Sequence, residues 1–211
     1  PPKWHLGHTT WFFESFILQP HFRNYNCYDS HYPYVFNSYY ETLGARVIRT
    51  QRGNLSRPTV EEIYQYRRYV DAAMEELLSL TVSDRLQELT VLGLNHEEQH
   101  QELLATDIKY ILGHNPLFPP FEEIATPIAD NSSSHEFISV KEGLYDIGYD
   151  GNGFCFDNEL GRHTTFLPSF KIAKGLVTNG EYQAFIEDSG YRRHEYWHAE
   201  GLDWIKNHQI N

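Results

Sequence analysis

From Thr59 to Leu112 apolar residues recur every three or four positions, and at Gly113 that rhythm stops. A proline-rich stretch follows, and beyond it the apolar residues come in short runs broken by Gly, Asn and Asp. A helix returns a side chain to the same face about every 3.6 residues and a strand every second residue. One uniform architecture therefore cannot accommodate the whole chain. The first part must bury helical stripes and the second must pair short strands.

The helical part supplies its own punctuation. Thr59 and Glu62 form a T-x-x-E capping box, each side chain positioned to satisfy a free backbone N–H of the first turn. Ile63, Tyr66, Val70, Ala73, Leu77 and Leu80 then make a bundle seam. A second helix is predicted from Ser83 to Leu112, stopped by Gly113 and Pro116, with Leu86, Leu89, Gly93, His96, His100, Leu103 and Ile111 facing inward. Upstream, Pro2 to Leu18 reads as a helix with Trp4, His8, Trp11, Phe12 and Ser15 on one face. A shorter one is predicted near Val35 to Leu43, ending at Gly44, before a connector carrying Arg46, Arg49, Arg52 and Arg57.

Pro116, Pro119, Pro120, Pro127 and Ser132 to Ser134 read as a linker. The organisation expected is a helical unit over 1–118, a linker over 119–134 and an α+β unit over 135–211. Strands are predicted at Phe137–Val140, Leu144–Ile147, Thr164–Leu167 and Phe170–Ile172, with a helix from Thr178 to Glu187. The balance of 17 basic and 29 acidic residues, net −12, argues against nucleic acid as a partner, because phosphate binding needs clustered Lys and Arg. No apolar run approaches the ~20 residues of a membrane span. Two cysteines, Cys27 and Cys155, fit a reducing, cytoplasmic setting and read as bystanders.

The chemistry concentrates on the second long helix. His96 and His100 lie one turn apart on its inward stripe, a spacing at which two imidazoles reach one metal ion. Hydrogen-bonded core histidines are the alternative. A buried imidazole nitrogen without a partner costs about 1–3 kcal/mol, so a pair at ligand spacing favours a metal. A third ligand belongs on another helix facing the same core. His8 fits, between Trp4, Trp11 and Phe12; His5, ~60° away on the wheel, ranks lower. His96-Glu97-Glu98-Gln99-His100 also matches H-E-x-x-H of zinc proteases. The extended form of that signature needs Gly and His where Leu103 and Thr106 stand. The glutamate-ligand form would have to draw on Glu122 or Glu123 in the linker.

These residues also carry a resemblance. Pro2-Lys3-Trp4-His5-Leu6-Gly7-His8-Thr9-Thr10-Trp11-Phe12-Phe13-Glu14 and Gly93-Leu94-Asn95-His96-Glu97-Glu98-Gln99-His100-Gln101-Glu102 resemble two helices of a DinB-like four-helix bundle. Gly148 to Phe154, Asp157-Asn158-Glu159, Arg162-His163 and Leu176 to Tyr182 resemble the opening of a formylglycine-generating-enzyme-like domain, of C-type-lectin-like fold. The two modules in this order resemble the ergothioneine-biosynthesis sulfoxide synthases over nearly the whole chain. That resemblance implies non-haem Fe(II) bound by His8, His96 and His100. It implies O₂-dependent joining of cysteine or γ-glutamylcysteine to hercynine, giving a sulfoxide, with Gln99 helping to hold hercynine. An anionic thiol beside iron needs a fixed cation, and Arg52 or Arg57 is expected to supply it. The resemblance further places the first bundle helix before Pro1. It places the family's catalytic tyrosine beyond Asn211, so that residues 135–211 are the first part of their domain and this stretch alone is expected to lack turnover.

Three rivals remain. A DinB-type metal hydrolase or thiol transferase would use the same histidines with another metal. A histidine–cysteine sulfoxide synthase of the ovothiol type shares the architecture. A non-enzymatic binding module would bind no metal. Asp157-Asn158-Glu159 reads as a turn rather than a calcium loop. Gly148 to Gly153 lacks the lysine and following helix of a phosphate site, and Tyr191, Trp197 and Trp204 are expected in the second unit's core.

Overall fold

An α-helix that is apolar on one side lies on a surface, whereas one enclosed on all sides must sit at the centre of its unit. The opening helix is of the second kind. In the computed structural model, which describes residues 2–38, 45–80, 82–122 and 136–210, α1 (Pro2–Phe13) buries nine of its residues, Thr9 and Thr10 among them. The single apolar face expected from the sequence is therefore only part of its contact surface. The two threonines satisfy themselves by donating to the Leu6 carbonyl at 3.2 and 2.7 Å. Gly7 admits the Phe36 ring so closely that a Cβ there would lie 2.3 Å from it. The helix continues as a π-helical segment, Glu14–Leu18, and a last turn, α2 (Gln19–His21).

Around α1 pack α3 (Tyr32–Phe36), α4 (Val60–Ser79) and α5 (Asp84–Gly113). The helix expected over Val35 to Leu43 is displaced: α3 ends at Phe36, where Asn37 turns to extended backbone, and residues 39–44 lie outside the described set. The capping box of α4 forms, with Thr59 Oγ1 accepting from the Glu62 N–H at 3.2 Å and the Glu62 carboxylate accepting from the Thr59 N–H at 2.6 Å. Its seam buries Ile63, Tyr66, Val70 and Leu77, adds Met74, and leaves Leu80 at the exposed C-terminal end. On α5 the stripe is buried at Leu86, Leu89 and Gly93, partly covered at His96 and His100, and exposed at Leu103 and Ile111. α1 runs antiparallel to α5, with Phe13 against Gly93 and His5 reaching Asp107.

The chain divides into two compact units, Pro1–Ala125 and Thr126–Asn211. In the second, β1 (Phe137–Val140) pairs antiparallel with β4 (Phe170–Ala173), and β2 (Gly143–Ile147) with β3 (His163–Leu167). Gly148, just after β2, has φ 116° and lies against the Arg162 backbone, where a Cβ would meet Cα at 2.7 Å. That turn requires glycine. Thr178 and Glu181 cap α6 (Asn179–Glu187) as a second capping box. α7 (Ala199–Asn207) buries Ile205, not the expected Trp204, which is 53% exposed and stacks on His208 one turn later. Tyr191 and Trp197 are half-buried and stacked on each other. Among the described residues no helix is long and apolar enough to cross a membrane. Cys27 and Cys155 are free thiols.

Candidate metal centre

The last carbonyls of a helix have no partner within it. At the end of α3 two side chains of α1 take them: Trp4 Nε1 donates to the Val35 carbonyl at 3.0 Å and His8 Nδ1 donates to the Phe36 carbonyl at 2.6 Å. A carbonyl only accepts, so His8 carries its proton on Nδ1 and keeps the Nε2 lone pair free. The His8 ring is fixed further by stacking on Trp4, with centroids 4.7 Å apart. From α5, His96 and His100 face it, with ring centroids 5.0 and 4.6 Å from His8 and 4.6 Å from each other. One nitrogen from each of the three rings lies within 4.8 Å of the others. That bound is somewhat wider than the ~3–4 Å expected of a closed set with ~2.0–2.1 Å bonds.

The donor set fits a divalent transition metal. Burial pushes His8 down to about 3, and the charges of His100, His96 and Arg52 act the same way against the raising effect of the Phe36 hydrogen bond. His96 falls to about 4 through burial, and His100 to about 4 through burial, His96, His5 and Arg52. All three are thus neutral at physiological pH, the form that ligates metals. His96 Nδ1 is buried with no hydrogen-bond partner among the described residues. Such an atom is costly unless something outside the protein completes it.

The glutamate of the H-E-x-x-H string is engaged elsewhere. Arg67 of α4 donates to both Glu97 oxygens, at 3.0 and 3.1 Å. The carboxylate that a zinc protease needs as its base is paired with a cation, and Glu122 is exposed. Glu123 lies outside the described residues.

Residues 123–211 match the sulfatase-modifying factor enzyme 1-like domain. Proteins named hercynine oxygenase align with about half of the chain. That of Mycolicibacterium smegmatis is 29% identical over 114 residues, 52% of this chain and 26% of its own. That of Mycobacterium tuberculosis is 30% identical over 110 residues, 51% of this chain and 25% of its own. The chain is a relative of the ergothioneine-type sulfoxide synthases. The match covers only about a quarter of the length of these relatives.

The two arginines singled out from the sequence part company. Arg52, on the 3₁₀ segment Arg49–Asn54, lies over the Trp4 ring with its guanidinium carbon 3.8 Å from the centroid, close enough to depress His8 and His100. Arg57 is exposed and donates to the neighbouring Ser56 carbonyl at 3.0 Å. Gln99 is exposed on α5, one position before His100. Sequence reasoning missed the polar support of the site. His5 bonds His100 and Asp107, and Glu14 is buried between tyrosines. Asp107 falls two turns after His100 on the same helical face, a spacing that marks it in retrospect.

The depressed histidines make the metal-free chain acid-sensitive. In the unfolded chain each titrates near 6.5, and in the folded chain near 3–4. Between those values the unfolded state binds more protons, so stability falls as pH drops from about 6.5 toward 4 and is unaffected above 7. Urea midpoints at pH 7.5, 6.0 and 5.0 should decline in that order. A flat profile would remove the three histidines from the buried, neutral state described.

Proposed function

We propose that the protein carrying this chain joins the sulfur of cysteine or γ-glutamylcysteine to the imidazole C2 of hercynine at an Fe(II) held by His8, His96 and His100. The observation that carries this reading is the convergence of three neutral imidazoles from α1 and α5. The likeness to proteins named hercynine oxygenase supports the choice of reaction. Three nitrogen donors alone would suit several metals. The helical unit, residues 1–118, is taken as a DinB-like bundle, and residues 135–211 as part of the sulfatase-modifying-factor-like domain.

The reaction balances with O₂ as sole oxidant. The hercynine C2–H and the thiol S–H bonds break, the C2–S and S–O bonds form, and O₂ takes four electrons. One oxygen atom ends in the sulfoxide and the other in water with the two protons. Fe(II), when bound, supplies the redox capacity for O₂ and open coordination positions for the thiolate. The chain's own residues do the rest. His8 is held in one tautomer by the Phe36 carbonyl. Arg52, steadied on the Trp4 ring, offers a carboxylate-bearing thiol a fixed counter-charge beside the histidines. Gln99, by the family resemblance, contributes to holding hercynine.

Two measurements test the reading. In the whole protein under ¹⁸O₂, the product from hercynine and thiol should carry one labelled oxygen by mass spectrometry, and His8→Ala should abolish it. Product formation that survives His8→Ala would overturn the assignment. Arg52→Gln should raise the thiol KM about 10–100-fold, as expected for a lost charge-assisted bond of about 1.5–3 kcal/mol, and leave the hercynine KM nearly unchanged. Equal effects on both substrates would assign Arg52 to packing against Trp4 instead.

A further inference from the structure

His5 and Asp107 form a chain of hydrogen bonds that ends on His100. His5 Nε2 lies 3.0 Å from Asp107 Oδ2, and His5 Nδ1 lies 2.9 Å from His100 Nδ1. A carboxylate accepts only, so His5 Nε2 carries a proton and donates it to Asp107. When His5 carries that proton alone, its Nδ1 is bare and accepts from His100 Nδ1–H. His100 is left with its lone pair on Nε2. One carboxylate two turns along α5 thereby settles the tautomers of two rings. We propose that His5 and Asp107 are positioning residues that lock His100 with Nε2 directed to a metal.

Three features separate this from ordinary core packing. Both nitrogens of His5 are engaged while its residue is only 8% exposed, so the ring has one orientation. Asp107 is 44% exposed at its side chain and its carboxylate bonds His5, so its role toward the site is polar. The other ligand from a different helix, His8, is fixed in the same way by the Phe36 carbonyl, so the site uses one device twice. Outer hydrogen bonds of this kind set ligand orientation and basicity at metal sites, and losing them typically costs 10–100-fold in metal affinity.

The inference rests on the three-histidine reading, and the test separates the two. Co(II) serves as the probe, titrated into the metal-free 211-residue chain against a competing chelator, with its visible d–d spectrum recorded. Circular dichroism and urea unfolding establish that each variant is folded. Loss of 1:1 Co(II) binding in His96→Ala confirms the site. Asp107→Leu, a substitution at a half-exposed position, should then weaken Co(II) 10–100-fold and shift its spectrum. Asp107→Asn, whose amide oxygen still accepts, should recover most of that loss. His5→Phe should weaken binding similarly, and the His5→Phe/Asp107→Leu pair should cost no more than His5→Phe alone. Affinity within twofold of the parent in both single variants, or additive losses, would overturn the relay while leaving the three-ligand site standing. Failure of the parent chain to bind Co(II) at all would overturn both.

Discussion

Alanine at His8 is expected to weaken metal binding by about two to three orders of magnitude. Structural sites with four ligands reach roughly 10–16 kcal/mol in total, about 2.5–4 kcal/mol for each ligand, and each 1.4 kcal/mol is a factor of ten. His8 is the deepest of the three, 1% exposed, and it is the one donor contributed by α1. Without it, His96 and His100 remain as an i, i+4 pair on one helix, which holds a metal far less selectively. Anaerobic Fe(II) titration and Co(II) competition should both register the loss. His96→Ala and His100→Ala should behave alike, whereas His163→Ala, on exposed β3, should leave affinity unchanged. Equal affinity in His8→Ala and the parent chain would dismiss the trio as a metal site. The comparison also addresses the rival functions. A binding module without metal predicts no 1:1 titration in any variant, and a zinc or nickel hydrolase predicts metal binding without thiol-dependent O₂ consumption by the whole protein.

Much of each unit's secondary structure was legible in the residues because it depends on local rules. The T-x-x-E box read at Thr59 forms where the motif lies, since both partners are three residues apart and need nothing tertiary, and the helix read from Thr178 opens on a second such box. The four strands begin and end within a residue of the apolar runs. His96 and His100 share a face because helical geometry leaves no choice. What could not be read depends on groups far apart in sequence. The pairing of Arg67 with Glu97 across α4 and α5 engages the glutamate of H-E-x-x-H, and no spacing encodes it. The burial of α1 on nearly all sides hid the side on which His5 reaches Asp107. The expectation that Arg52 or Arg57 approaches the histidines followed from charge, but the choice of Arg52 followed from its seat on Trp4. α7 escaped notice because its one buried residue, Ile205, makes no periodic pattern.

Glu14 was also illegible, as a lone acid in the aromatic run Trp11-Phe12-Phe13, and its replacement should give the largest loss of stability. It is 0% exposed, in the π-helical segment where an extra residue interrupts the ladder. Its Oε1 accepts from Tyr25 OH and from the Tyr28 backbone N–H, both at 2.8 Å, and its Oε2 accepts from Tyr66 OH at 2.5 Å. Burial and the neighbouring carboxylate hold the Tyr25 and Tyr66 hydroxyls well above the ordinary tyrosine range, so both stay protonated and donate. One carboxylate thus ties α1's continuation to the 25–28 loop and to α4. Glu14→Leu removes the common acceptor and strands two hydroxyls and an amide, each costing about 1–3 kcal/mol when buried and unpaired. Three such groups together set an expected loss of about 3–5 kcal/mol, a large part of a small domain's stability. Glu14→Gln should lose about 1–2 kcal/mol. Its amide oxygen can keep Tyr25 and Tyr28, while the amide N–H₂ obliges Tyr66 OH to turn and accept. Urea unfolding of Glu14→Leu, Tyr66→Phe and the double variant measures the coupling. The double should cost clearly less than the two singles together, because Tyr66→Phe removes a donor that Glu14→Leu leaves stranded. Additive losses, or a Glu14→Leu penalty under 1 kcal/mol, would mean that the three contacts are incidental to the fold. The same variants carry a second consequence for the metal centre. The helix that Glu14 anchors also positions His5 and His8. A folded Glu14→Gln chain with normal Co(II) affinity would show that the two layers, the aromatic–carboxylate anchor and the histidine cluster, are energetically separate along one helix.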